Sequence, residues 1–297
     1  MKIENLEAKI LYRDNKIIES FGNIDKKVPI NSITKTIIAI LIGIAKTNGI
    51  IEDIKDPANH YIREYDIDQR ISIESLLTMS SGINCPENLL YNSNDWIDTI
   101  SNSEVLEEKI GKFEYRGASS HLLGKIISDS ADMSLEDFAI EYLFNPLGID
   151  YDKDSEEIDY YIEDRLYKSK RTWDIDPKGN NMGSFALRLS ANDLLKIGRM
   201  ILDKGIVKGK RILSEDYIKA SFKPQIKAEN YGYYTYQAWF KNIKGYKVYS
   251  AIGIDDKYMS IIPEKNTILI FISKIKREKK TISIQKSYIE SLLKAIV

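Results

Sequence analysis

Pro29-Ile-Asn-Ser32-Ile-Thr-Lys35-Thr-Ile-Ile-Ala-Ile-Leu-Ile-Gly-Ile-Ala45 places a serine and a lysine three residues apart at the mouth of an apolar run. The run predicts a helix from Ser32 to about Asn48, closed by a left-handed stop at Asn48-Gly49. On a helix, positions i and i+3 are neighbours on one face, so the amine of Lys35 can reach the hydroxyl of Ser32. That pair is the minimum a nucleophilic serine needs when no histidine serves as its base. The helix N-terminus adds a positive field that favours an alkoxide and disfavours a charged lysine. The same spacing recurs at Ser273/Lys276, Ser283/Lys286 and Ser291/Lys294, as expected by chance in a lysine-rich chain. Those three lie in a terminal stretch carrying Lys-Arg-Glu-Lys-Lys, which reads as solvated surface. Ser32 alone opens a helix that reads as buried. Out of context, Ser32 would simply be a helix N-cap and Lys35 a solvated first-turn lysine.

Composition narrows the field. The chain has 297 residues, 43% hydrophobic and 29% charged, with a net charge of −1. Those values fit a soluble globular protein with a full core. Acids and bases are interspersed, so no basic face suggests nucleic acid and no polybasic block suggests an anionic membrane. The single Cys85 excludes an intramolecular disulfide or a thiolate cluster and reads as packing. Only His60 and His121 are present, too few for a three-histidine zinc site, so neither metal nor cofactor is expected. Charges throughout residues 1–30 leave no room for a secretory core, and Ile37–Ala45 is far too short to span a bilayer. The expectation is a cytoplasmic protein, or an exported one if a leader precedes this chain.

Outward from Ser32, residues 8–24 alternate and turn at Arg13-Asp-Asn-Lys16, a hairpin. Helices are expected over Ile73–Met79 and Ser119–Ser130, and another capped by Ser134 and closed at Phe144-Asn-Pro-Leu-Gly148. Residues 150–165 are acidic and tyrosine-rich without a period, which suggests an exposed loop. Ser190 and Ser214 each open a further helix. The period then becomes two: Tyr233–Phe240, Tyr246–Ala251, Tyr258–Ile262 and Thr267–Ser273 read as four antiparallel strands. A last helix is expected over Ile282–Ile296. Strands at both ends imply one α/β (α+β) sheet portion from residues 1–50 and 187–297, with a mainly helical portion, 51–186, inserted. The active site would lie in the cleft between them.

Four more segments follow in order: Leu76-Leu-Thr-Met-Ser-Ser-Gly82, Tyr115-Arg-Gly-Ala-Ser-Ser-His-Leu-Leu-Gly124, Met182-Gly-Ser-Phe-Ala-Leu-Arg-Leu-Ser-Ala-Asn-Asp193 and Ala251-Ile-Gly253. With Ser32-x-x-Lys35 they resemble the penicillin-recognising serine hydrolases, in the class C β-lactamase-like branch. That branch includes DD-peptidases, esterases and 6-aminohexanoate-dimer hydrolases. Phe144–Gly148 and Gly205–Ser214 add to the likeness, and Trp173-Asp-Ile-Asp-Pro-Lys-Gly179 is similar to a loop of the aminohexanoate-hydrolase and esterase members. The resemblance covers about residues 8–295. It implies a β-lactamase/transpeptidase-like fold, an antiparallel sheet flanked by helices plus an inserted helical region.

By that resemblance Ser32 is the acylated nucleophile, Lys35 its base or relay partner, and Tyr115 the second-motif tyrosine. Gly253 matches the third-motif glycine, and the N–H groups of Ser32 and Ile254 would form the oxyanion hole. Two positions depart from the branch. Gly117 stands where many members carry an asparagine for a substrate amide, and Ala251 where a lysine or histidine binds a carboxylate. Asp255-Asp256 replace a common glycine pair. Gly117, Ala251 and Trp173 are the candidate cleft residues, Trp173 with core filling as its alternative. The implied activity is an acyl-enzyme hydrolase, an esterase or amidase on a small ester, amide or peptide. The rivals are a DD-peptidase or β-lactamase and a catalytically silent binding member. Taken singly, Tyr115 is one of 19 tyrosines, and His121 leaves a Ser-His-Asp triad open. His60 reads as an exposed helix end.

Overall fold

The computed structural model describes residues 6–162, 165–228, 231–274, 293–294 and 296. Its centre is an eight-stranded antiparallel sheet to which both ends of the chain contribute. The first hairpin, Leu6–Arg13 and Lys16–Gly22, forms one edge. Its two-residue loop has both Asp14 and Asn15 at positive φ, the geometry that twisted hairpins prefer and that Asp and Asn tolerate. Leu6–Arg13 then pairs with Thr267–Ser273, and the sheet runs on through Lys257–Ile262, Tyr246–Gly253, Trp239–Ile243, Gly232–Tyr234 and Ile226–Ala228.

The helix Ile33–Thr47 is buried from Ile33 to Ala45, which is why its sequence is apolar on every side. It lies between the sheet and the helical region, touching Gly117–Ala131 on one side and Tyr246–Gly253 on the other. Gly43 lets it approach Tyr217, whose ring would stand 2.4 Å from a Cβ there. A second helix, Ala191–Leu202, packs on the first and last strands. Ser190 and Asp193 form a reciprocal capping box at its start. Ser134 caps Leu135–Ala139 in the expected way, and Gly148 closes Asn145–Leu147 at φ 64°. No described helix is long and apolar enough to cross a membrane.

Two stretches differ from the sequence reading. The expected loop over 150–165 is a β-ribbon, Asp154–Ile162 paired with Arg165–Arg171. None of its residues 154–159 and 168–171 is buried, so their sequence carries no apolar alternation to detect. The expected strand Tyr233–Phe240 is broken at residues 235–238, where Gln237 adopts φ 56° and Thr235 N–H donates to Ala238 O. The expected helix over 282–296 lies outside the described residues apart from 293, 294 and 296, which are helical.

Candidate active site

Ser32 enters its helix through a constrained turn. Asn31 sits at φ 51°, a left-handed conformation that Asn accepts more readily than most residues. Its side-chain amide donates to Ile254 O at 2.9 Å and lies 3.5 Å from Asp255 Oδ2. Gly253 closes the junction from the strand side. A Cβ on it would stand 2.6 Å from Ile30 O and 3.3 Å from Ser32 N, so only glycine lets the strand end approach this turn. The Ser32 side chain does not cap the helix, which leaves its hydroxyl for other partners.

Those partners are Lys35 and Tyr115. The Lys35 amine donates to Ser32 Oγ at 3.2 Å and to the Ser184 carbonyl at 2.7 Å. It lies 5.1 Å from the centre of the Tyr115 ring. Burial lowers the Lys35 ammonium to about 7, against which the Glu87 carboxylate pushes upward. The Tyr115 phenol is raised to about 12, chiefly by burial, with its hydrogen bond to Ser32 pulling it down and the Glu87 charge adding a smaller push upward. Tyr115 is held in place by stacking on Trp239, 5.8 Å between centroids at 15°.

Ser32 and Tyr115 open onto a cleft of about 940 Å³, walled by Phe113, Trp239, Ile252, Gly253 and Ile254 with Lys112 and Lys227 among its polar lining. Among the described residues neither the Ser32 N–H nor the Ile254 N–H has an acceptor. No cluster of three or more His, Cys, Asp or Glu side chains is placed to hold a metal among the described residues.

The other sequence candidates fall elsewhere. Gly117 is buried in the first turn of Gly117–Ala131 rather than on the cleft wall, and the space beside it is taken. A Cβ there would meet Tyr91 Oη at 2.7 Å and Ser184 Oγ at 3.3 Å. Ala251 turns inward, into an apolar interior gap with Thr36, Ala39 and Met259. Trp173 is fully buried and its indole N–H donates to Met182 O at 2.9 Å, so it is a core residue and not a cleft wall. Asp255 and Asp256 have φ 59° and 54°, which explains why glycines suit this turn; Asp255 faces Asn31 and Lys257. His121 spends both ring nitrogens away from Ser32, on Asp176 and Gly183, and a triad through it is therefore ruled out. His60 is exposed at the end of Ala58–His60, and Cys85 is buried.

Three participants were not foreseen. Glu87 Oε1 accepts the Gly117 N–H at 3.0 Å, and Oε2 lies 3.5 Å from Arg116, fixing the segment that carries Tyr115. Ser184 supplies the acceptor for Lys35. Gln237 joins three helices to the sheet: it accepts from Thr36 and Ser120 and donates to Leu76 O and Leu77 O. Each acts through a contact distant in sequence, which no local pattern announces.

The chain belongs to the beta-lactamase family, whose model matches residues 9–289. The fold is shared with a Bacillus anthracis protein assigned as a 6-aminohexanoate-dimer hydrolase, TM-score 0.78 and 17% identity over 98% of this chain and 79% of that one. An octameric penicillin-binding protein homologue from Pyrococcus abyssi gives TM-score 0.73 at 22% identity, over 97% and 73%. A class C beta-lactamase from Rhodobacter sphaeroides gives 0.72 at 14%, over 96% and 94%. No curated protein matches the sequence.

Proposed function

We propose that this protein is a serine hydrolase that forms an acyl-enzyme on Ser32 and acts as an esterase or amidase on a small substrate. The observation that carries the reading is the buried Lys35 amine, lowered to about 7, at 3.2 Å from Ser32 Oγ. A lysine partly neutral near pH 7 is matched to general-base work, as a fully charged one is not. Lys35 removes the hydroxyl proton as Ser32 attacks the carbonyl carbon. The N–H groups of Ser32 and Ile254 receive the developing oxyanion. Tyr115, protonated at neutral pH, passes a proton toward the leaving group, and water then releases the acid by the reverse route.

The DD-peptidase or β-lactamase reading has less support. Position 117 carries no amide, and Tyr91 fills the room one would need. Position 251 offers no cation and faces the interior. The reading of a silent binding member leaves the retained Ser32–Lys35–Tyr115 contact without a use. A fluorophosphonate should label Ser32, seen by intact mass and peptide mapping, and Ser32→Ala should abolish both label and ester turnover. A label on another serine, or normal turnover by Ser32→Ala, would overturn the mechanism.

A further inference from the structure

The most developed polar cluster outside the cleft surrounds His121. Its side chain is 1% exposed and that of Asp176 is fully buried, so neither meets a substrate. The Gly183 N–H points at His121 Nδ1, 3.4 Å away, which makes Nδ1 the acceptor and assigns the proton to Nε2. Nε2–H then donates to Asp176 Oδ2 at 3.1 Å. Asp176 is itself fixed by the N–H groups of Lys178 and Asn180 and by the Asn180 amide, each at 2.9 Å. The Trp96 ring meets the imidazole edge-on at 5.1 Å.

What this cluster holds is the segment 182–184. Gly183 runs hard against the helix Gly117–Ala131: a Cβ on it would stand 2.2 Å from Ser120 O. The next residue, Ser184, offers its carbonyl to the Lys35 amine at 2.7 Å, the shorter of that amine's two hydrogen bonds. A neutral lysine acts as a base only if its lone pair faces the hydroxyl. The ammonium donates to both oxygens. Once neutral, the amine keeps one N–H on the fixed carbonyl, which limits its rotation and lets the lone pair take the Ser32 side, where the hydroxyl becomes the donor. The groups facing Lys35 are Ser32, the Tyr115 ring, Ser184 O and, at longer range, Glu87.

We propose that His121 is a positioning residue for Lys35: by accepting the Gly183 N–H at Nδ1 it holds the Ser184 carbonyl that orients the amine. The proposal rests on the reading of Lys35 as the base of Ser32. It differs from a triad because His121 never exchanges a proton with substrate or nucleophile.

Two amide variants separate its parts. His121→Asn puts an amide oxygen at about the reach of Nδ1 and keeps an acceptor for Gly183. His121→Gln extends its amide to about the reach of Nε2, keeping Asp176 satisfied and leaving Gly183 without its acceptor. In variants whose circular dichroism and urea midpoint match the parent, His121→Asn should keep kcat on a p-nitrophenyl ester within about threefold. His121→Gln should lose at least about tenfold in kcat with little change in KM. Its acid limb should also move to lower pH, because the ammonium form loses an acceptor that favours it. The reverse order, or two variants indistinguishable from the parent, would overturn the proposal.

Asp176→Asn gives a further check, since it keeps an acceptor for Nε2–H and leaves Nδ1 on Gly183. A loss as large as that of His121→Gln would make the carboxylate charge the operative feature and also overturn it. An NMR titration of the Lys35 side chain in the same variants needs no turnover, and an unchanged midpoint in His121→Gln counts against the proposal. Failure of the parent protein to label at Ser32 would instead strike the hydrolase reading itself.

Discussion

Replacing Lys35 by methionine should make the protein more stable while abolishing its activity, with a pH dependence that identifies the cause. The side chain is buried and its ammonium falls from 10.5 to about 7, chiefly through desolvation. Below about pH 7 the lysine is charged in both folded and unfolded states, and the folded state bears the whole desolvation penalty. Between about 7 and 10.5 the folded protein has released this proton while the unfolded chain retains it. The unfolded state then binds more protons, so stability rises with pH across this window. At about 1.4 kcal/mol per pH unit, the full span amounts to roughly 5 kcal/mol.

Methionine keeps most of the packing volume and removes the titration. It also removes the amine's hydrogen bonds to Ser184 O and Ser32 Oγ, a loss of about 1–3 kcal/mol. The variant should therefore exceed the parent by roughly 2–4 kcal/mol at pH 6, with the advantage shrinking from pH 7 upward and gone near pH 10. Urea unfolding of both proteins at pH 6, 8 and 10 measures this difference, and every other titrating group cancels in the comparison. A difference flat across pH, or one that grows as pH rises, would refute the assignment of a buried, easily deprotonated lysine. The gain in stability with loss of turnover is the trade expected where a charged group is kept in a core for its chemistry.

On the proposed mechanism, kcat/KM of the parent protein on a neutral ester should rise through an acid limb near pH 7 as Lys35 loses its proton, without an alkaline limb below pH 10, since Tyr115 stands at about 12; an acid limb near pH 4 would move the base to a carboxylate. Gly117→Asn should give no gain in nitrocefin turnover and should lower stability by about 1–3 kcal/mol in urea titration, because its Cβ meets Tyr91 Oη at 2.7 Å; a gain in the single variant would refute that steric account. Short p-nitrophenyl esters should exceed nitrocefin and benzylpenicillin in kcat/KM by at least about a hundredfold, near 2.7 kcal/mol of transition-state binding, and comparable β-lactam turnover would restore the lactamase reading. His60→Ala should leave ester turnover within about twofold, measured under the same conditions, since the residue is exposed at the end of Ala58–His60.

The parts of the fold that could be read from the sequence are those whose physics is local. Asp14-Asn15 announces its own turn, the helix caps at Ser134 and Ser190 precede their helices, and the strands between 246 and 273 are short runs rich in Ile and Tyr, largely buried on both faces. The all-apolar face of Ile33–Ala45 announces burial. Ser32 and Lys35 are legible for the same reason, since helix geometry alone brings them together. Tyr115 needed the family resemblance, because nothing in its neighbours distinguishes it from other tyrosines. The ribbon of Asp154–Ile162 and Arg165–Arg171 was missed because its residues 154–159 and 168–171, none of them buried, carry no apolar alternation, and the break at Gln237 because that residue's partners lie on three distant helices.

The readings of Gly117 and Ala251 went astray for a different reason. The resemblance placed both on the cleft wall, at the positions where other members carry an asparagine and a lysine or histidine for the substrate. In the folded chain Tyr91, from the helix Glu87–Asn92, brings its hydroxyl to where a side chain on 117 would begin. Ala251 likewise turns toward Met259 and Thr36 instead of the cleft. Position 117 is therefore coupled to position 91, and the pair decides what can project there. Tyr91→Ala will itself be costly, since the ring packs on Trp96 and Phe185 in the core. If Tyr91 excludes the asparagine, however, Gly117→Asn should cost little further stability in the Tyr91→Ala background, a non-additivity in urea titrations that direct contact produces and independent sites do not.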